Sequence, residues 1–293
     1  MPSHRPCWGM GFAALFLALI FTGRAAFAET VEAKLPSGIV ADASFHAGKA
    51  GMPALLLVHG FLQTRSAPPL SRLAETLSDA GYTVLSPTLS LGISRRSHSL
   101  ACEAVHTHTL EGEASEISFW VDWLVRKHYP NIVLIGHSTG SKSILFYLQK
   151  TPNPAVRKAV LASLVPDNGT DIDREKAHRM LKAQAKGKED LQRFSMGYCR
   201  NNYMSTPYAY LSYAVYDADR TLGLLDKAKV PVEIILGGAD TLMEKGWPQK
   251  ALKHGASITL IKSAGHFFDG PQEFDFADAV EAQLKSLRPA RQP

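Results

Sequence analysis

Cysteine is nearly absent from this chain: three in 293 residues, none of them in a Cys-x-x-Cys pair. That spacing gap argues against a thiolate metal site. Blocks of Lys or Arg are missing too, as is any interleaving of basic with aromatic residues. The formal charge of +5 is therefore diffuse and sets nucleic acid aside as a partner. No internal repeat and no low-complexity run interrupts the sequence. What remains is ordinary globular composition, 45% hydrophobic and 20% charged, enough for one large domain, or a domain plus an insertion, with a core that needs no staples.

The first thirty residues stand apart. Arg5 provides a positive start, Gly11 to Thr22 is apolar, and Ala26-Phe27-Ala28 is a small-x-small cleavage pattern. These are the three parts of a secretory signal peptide, so the expectation is cleavage after Ala28, with residues 29–293 exported to a periplasmic or secreted location. The apolar stretch is too short for a comfortable membrane span, and no stable membrane insertion is expected after cleavage. Cys7 would leave with the signal, so Cys102 and Cys199 would face an oxidising compartment as an even pair. A disulfide between them is expected there, pinning a lid to the body.

Along the rest, apolar runs alternate with helical periodicity. Val31 to Lys34 and Ile39 to His46, joined across Pro36-Ser37-Gly38, read as a hairpin. Ala54 to Val58 is a continuous apolar strand, suited to a sheet buried on both faces. A helix follows Pro68-Pro69 to about Ala80, and Thr83 to Pro87 is a strand. Ile117, Trp120, Val121 and Leu124 fall at i, i+3, i+4 and i+7, placing a helix over about Leu110 to Lys127. Further strands are expected at Ala159 to Val165, Val232 to Leu236 and Ser257 to Ile261, and a closing helix carries Phe276, Val280, Leu284 and Leu287. Such alternation implies a mostly parallel sheet covered by helices on both faces. From 167 to about 225 no good strand is visible. A charged helix at Asp171 to Gly187 and a tyrosine-rich remainder read as a helical cap, in which Tyr208 and Tyr213, with Leu62 from the body, are candidates to line an apolar substrate slot.

One stretch carries the chemistry. Ile132 to Ile135 is apolar, Gly136-His137-Ser138-Thr139-Gly140 follows, and a helical run begins directly after it. Gly-x-Ser-x-Gly between a strand and a helix is the pattern of a nucleophile elbow, where the glycines admit a turn that no Cβ would allow. A serine hydroxyl needs a base, and the base needs a third group to fix its tautomer. Asp240 and His266 each follow a strand, on the sheet edge that Ser138 also occupies.

With His59-Gly60-Phe61, Gly238-Ala239-Asp240 and Ala264-Gly265-His266-Phe267-Phe268 added, the chain resembles the α/β-hydrolase family over about 53–287. That resemblance implies an α/β fold with a mostly parallel central sheet and a cap. It makes Ser138 the nucleophile, His266 the general base and Asp240 its partner, with an oxyanion hole from the backbone N–H groups of Thr139 and Phe61. The family often has a second glycine after the His-Gly pair, where this chain has Leu62-Gln63-Thr64, so Leu62 is an alternative to Phe61. The implied activity is hydrolysis of a carboxylic ester, a small-molecule acyl substrate, through an acyl-enzyme, with no metal or organic cofactor. An amide or peptide hydrolase or a lipase is the neighbouring reading, and a non-catalytic ligand-binding relative the reading from another class.

Other motifs count for less. His59 and His137 read as packing residues. His106 and His108 lack a nameable third ligand and read as solvated loop histidines. Asn168-Gly169-Thr170 is a glycosylation acceptor pattern only.

Overall fold

The computed structural model describes Met1 and residues 28–166, 169–183 and 190–287. The signal segment and Asn168 lie outside the described residues. Eight strands form one sheet in the order β1-β2-β4-β3-β5-β6-β9-β10, with β1 Glu29–Lys34, β2 Val40–His46, β3 Ala54–Val58, β4 Thr83–Thr88, β5 Ile132–His137, β6 Val156–Ala162, β9 Val232–Gly237 and β10 Ser257–Ile261. The β1–β2 and β2–β4 pairings are antiparallel, and every pairing from β4 to β10 is parallel.

Period-2 geometry divides the core between the two faces of this sheet. Leu55 and Leu57 of β3 and Val133 and Ile135 of β5 pack with α1 (Leu70–Asp79) and α8 (Gln272–Leu284), through Leu73, Leu77, Phe276 and Val280. Their sequence neighbours Leu56, Val58 and Leu134 face the other way, onto α2 (Leu110–Arg126) and α3 (Thr139–Leu148). Central strands with both faces covered have no polar side to alternate, which is why β3 reads Ala-Leu-Leu-Leu-Val and is buried throughout. The edge strand β1 alternates between exposed and half-buried residues. α2 starts where the Thr109 side chain accepts the Gly112 N–H at 3.0 Å, with Glu111 and Glu113 in its first turn, a combination that satisfies the helix end and its dipole.

β6 begins three residues before its expected start. Arg157 and Lys158 look like loop residues, but they sit at the sheet's rim, where the Lys158 ammonium reaches the Gln283 carbonyl and side chain at 3.1 and 2.8 Å.

Between β6 and β9 lies the cap: α4 Asp171–Ala183, β7 Gln192–Met196, β8 Cys199–Ser205, α5 Pro207–Ala214 and α6 Ala218–Leu225, followed before β10 by α7 Trp247–Lys253. The expectation of a strandless cap is corrected here, because β7 and β8 pair antiparallel. Their sequences are polar, yet Phe194 and Met196, then Cys199, Tyr203 and Ser205, are buried at mostly alternate positions. Gly197 turns the hairpin at φ +56°. Cys102 and Cys199 form a disulfide with Cα atoms 5.5 Å apart. It ties the hairpin to the 89–109 segment, which also runs along β8 by His106 N–H to the Met204 carbonyl (2.8 Å) and Met204 N–H to the Cys102 carbonyl (3.2 Å).

Candidate active site

Ser138 sits at the bend between β5 and α3 with φ +55°, a conformation a non-glycine residue holds only where its surroundings enforce it. Those surroundings are visible at the flanking glycines. A Cβ on Gly136 would lie 2.7 Å from the Ser141 backbone, and one on Gly140 would lie 2.3 Å from the Val58 carbonyl oxygen. A side chain at Gly140 would push the elbow off β3, and one at Gly136 would push β5 away from the first turn of α3.

The Ser138 hydroxyl is 2.8 Å from Nε2 of His266, and Nδ1 of His266 is 2.8 Å from Oδ2 of Asp240. His266 is on the loop after β10 and Asp240 on the loop after β9, so the ends of β5, β9 and β10, on one edge of the sheet with β6 between the first two, supply the three groups. Asp240 is buried, and its other oxygen accepts the Leu242 N–H at 2.8 Å. A carboxylate facing Nδ1 places the imidazole proton there and leaves Nε2 as the acceptor for the serine proton. The sequence-expected residues Ser138, Asp240 and His266 are thus brought together.

The backbone of His266 is held as firmly as its ring. Nε2–H of His137 donates to the His266 carbonyl at 2.9 Å, and the Ser163 hydroxyl donates to the same oxygen at 2.7 Å. Burial drives the His137 pKa down to about 3, so its ring stays neutral. Both His137 and His59 are buried, as packing residues should be, but each also makes specific hydrogen bonds.

Above Ser138 is a cavity of about 760 Å³. Phe61, Val165, Met196, Tyr198, Leu242 and Phe267 give it apolar walls, while Lys142 and Arg200 bring cationic side chains to its lining. Phe61 and Thr139 both border it, and among the described residues neither N–H has an acceptor. The three expected pocket residues fare differently. Tyr213 lines the cavity, whereas Leu62 is buried outside the lining and Tyr208 points to solvent, 53% exposed. Tyr208 lies near the start of α5, whose packed face is carried by Ala209, Tyr210 and Tyr213.

Tyr213 also joins cap to body. Its hydroxyl donates to Oε1 of Glu113 at 2.7 Å and, having no second proton, accepts from Nδ1–H of His108 at 2.7 Å. The Ser143 hydroxyl, one turn beyond the elbow, donates to Oε2 of Glu113. Burial pushes the Glu113 carboxyl up, but the adjacent His108 ring and hydrogen bonds from Ser143 and Tyr213 outweigh it and hold the group below its ordinary value. His106 stacks on Tyr203 with ring centroids 4.4 Å apart. His106 and His108 are therefore buried structural residues, not the solvated loop histidines expected. Among the described residues no cluster of three or more His, Cys, Asp or Glu side chains could hold a metal ion, and no helix is long and apolar enough to cross a membrane.

Sequence reasoning missed Glu113, Ser163, Met196 and Phe267. Glu113 left a signal, a carboxylate on the same helical stripe as Ile117, Trp120 and Leu124. Ser163 left none.

A largely parallel sheet, an elbow serine at a strand end and a histidine–carboxylate pair on later loops define a hydrolase architecture. The sequence pattern of the alpha/beta hydrolase family matches residues 55–282, and the chain belongs to that family. Over 72 residues it is 33% identical to the bifunctional esterase/perhydrolase DCH of Acinetobacter calcoaceticus, a match that spans 25% of each chain. The fold is similar to that of the alpha/beta hydrolase GrgF from Penicillium (TM-score 0.67, 15% identity, 88% of this chain and 97% of the other). It is also similar to that of an esterase from Pyrococcus furiosus (TM-score 0.62, 16% identity, 90% and 92%).

Proposed function

We propose that this protein is a serine hydrolase that cleaves a small to medium, partly apolar carboxylic ester. The observation that carries the reading is the unbroken chain of 2.8 Å contacts from Ser138 through His266 to Asp240 at the floor of the cavity. Ser138 attacks the ester carbonyl while His266 takes its proton. The N–H groups of Thr139 and Phe61 receive the oxyanion, and His266 returns the proton to the departing alcohol. Water, deprotonated by the same histidine, then releases the acid from the acyl-enzyme. Apolar walls at Phe61, Val165 and Met196 favour an acyl group with hydrocarbon character. The similarity to named esterases supports ester rather than amide chemistry.

We place the mature chain outside the cytoplasm, in the periplasm or secreted. The signal-like start and the Cys102–Cys199 disulfide both support that location. Mass spectrometry of the exported protein tests it: a mature chain beginning at Glu29 is expected, and an intact Met1 in the cytosol contradicts it.

Hydrolysis of short- and medium-chain p-nitrophenyl esters, beside Ser138→Ala, tests the activity. Turnover abolished in the variant supports the reading. Equal turnover in both proteins, or ester left intact while a matched amide is cleaved, overturns it.

A further inference from the structure

A buried cation is tied to the His59–Gln63 loop. Arg96 is 5% exposed. It donates through Nε to the Leu89 carbonyl (2.8 Å), through Nη1 to the His98 carbonyl (2.9 Å) and through Nη2 to the Gln63 carbonyl (2.7 Å). Nη2 also lies 3.2 Å from Nε2 of His59, and the Leu89 N–H points at that same nitrogen from 3.0 Å. A guanidinium and a backbone amide can only donate, so Nε2 of His59 must accept. Its ring proton therefore sits on Nδ1, which faces the Gly60 carbonyl oxygen at 2.9 Å. The Gln63 N–H donates to this oxygen as well, at 3.2 Å.

Two donors on that oxygen fix one peptide plane. In a trans peptide the C=O of one residue and the N–H of the next point in opposite directions. With the Gly60 oxygen held by His59 and Gln63, the Phe61 N–H is turned away from them. Gly60 and Phe61 line the cavity together with Ser138 and Thr139, whereas Leu62 is buried outside the lining. The hold is crowded as well as bonded, since a Cβ on Gly60 would lie 2.8 Å from the Gln63 side-chain oxygen and 3.2 Å from Nδ1 of His137.

We propose that Arg96 and His59 are positioning residues for the oxyanion hole. Arg96 sets the His59 tautomer, and His59 sets the Gly60–Phe61 peptide so that the Phe61 N–H faces the carbonyl oxygen of a substrate on Ser138. This rests on Ser138 being the nucleophile, and it assigns the second donor to Phe61 instead of Leu62. A donor oriented in advance needs no reorganisation as negative charge develops, which makes such groups effective.

The test compares wild-type protein with His59→Leu, His59→Asn and Arg96→Lys. Three quantities are read: kcat and KM on p-nitrophenyl butyrate, the thermal midpoint, and the inhibition constant of a trifluoromethyl ketone whose tetrahedral serine adduct carries an oxyanion. His59→Leu is expected to lower kcat by about 10²-fold or more, the loss typical of one oxyanion donor, and to weaken the ketone in parallel. KM should move by no more than about threefold, since the contact belongs to the transition state. His59→Asn restores an N–H near the place of Nδ1–H and should recover at least about tenfold of the lost kcat. Arg96→Lys, with a single ammonium in place of the fork, should show the same parallel loss of kcat and ketone binding.

Variants that melt earlier yet keep wild-type kcat and ketone affinity would reduce both residues to structural supports and overturn the proposal. A rise in KM alone would overturn it too. If His59→Leu fails to fold, Arg96→Lys with the ketone decides the matter. Wild-type protein that neither hydrolyses the ester nor binds the ketone removes the nucleophile reading and the proposal with it, an outcome distinct from losses confined to the variants.

Discussion

His137 and His266 are joined through the backbone of the second: Nε2–H of His137 donates to the His266 carbonyl at 2.9 Å. His137 immediately precedes Ser138, so the strand that presents Ser138 also holds the loop that presents His266. The Ser163 hydroxyl is the second donor to that oxygen. We predict that His137→Leu, which strips one donor from a shielded carbonyl, destabilises the protein by about 1–3 kcal/mol. It should also lower kcat/KM by roughly 10- to 100-fold as the imidazole loses its fixed distance to Ser138. Thermal unfolding and steady-state kinetics measure the two effects. Wild-type kcat/KM in a folded His137→Leu protein would mean that the base loop holds itself in place.

Asp240 is buried against the His266 ring, with both carboxylate oxygens engaged. Asp240→Asn is nearly isosteric, so the fold should survive. The amide cannot stabilise an imidazolium, and it favours the wrong tautomer. We predict a loss of about 10⁴ in kcat for this reason, with little change in circular dichroism. If the variant keeps near-wild-type turnover, another carboxylate serves His266, and Asp269 in the same loop is the one to replace next.

How much of this was legible beforehand depended on local signals. Continuous apolar runs such as Ala54 to Val58 and Ile132 to Ile135, short and bounded by turn residues, read as strands of a two-faced sheet, and the elbow between two glycines announced itself. Ser138, Asp240 and His266 each lie just past a strand end, so chain order alone placed them on one edge. The β7–β8 hairpin was hidden because Gln192, Arg193, Asn201 and Asn202 have loop-like propensities, and its pairing is enforced by the packing of Phe194, Met196 and Tyr203. Burial of His106 and His108 was hidden for a related reason. Their partners Tyr203 and Tyr213 are about a hundred residues away and meet them only when the cap closes on the body. Leu62 and Tyr208 failed as pocket residues because direction into a cavity is a property of backbone angles, which residue type does not encode.

The Cys102–Cys199 disulfide closes a sequence separation of 97 residues and anchors the hairpin whose Gly197–Tyr198 turn rests on Phe61. A cross-link over a loop of that size restricts the unfolded chain by about 4–5 kcal/mol on the chain-entropy view. We predict that the Cys102→Ser/Cys199→Ser protein is less stable to urea by about 2–4 kcal/mol. It should also discriminate less sharply among acyl chain lengths, because one cavity wall is loosened. Equal urea midpoints with and without the bridge would contradict the first expectation, and an unchanged chain-length profile the second.

Glu116 couples the stability of the fold to pH. Its carboxylate accepts the Ser90 N–H and hydroxyl, at 3.0 and 2.8 Å to Oε2. Burial nevertheless dominates and raises its pKa from 4.5 to about 7. A raised carboxyl favours the neutral form in the folded state, so its contribution is fully present below the unfolded value near 4.5 and is lost as pH rises through about 7. Glu116→Gln keeps a carbonyl acceptor for Ser90 and cannot ionise. The stability of wild type relative to this variant should therefore fall between pH 5 and pH 8.5, by something on the order of 3 kcal/mol, before partial solvation of the site reduces it. Urea unfolding of both proteins at the two pH values measures the difference. Parallel pH dependences in wild type and variant would show that Glu116 ionises in the folded protein as easily as in the unfolded chain, and that Ser90 alone offsets its burial.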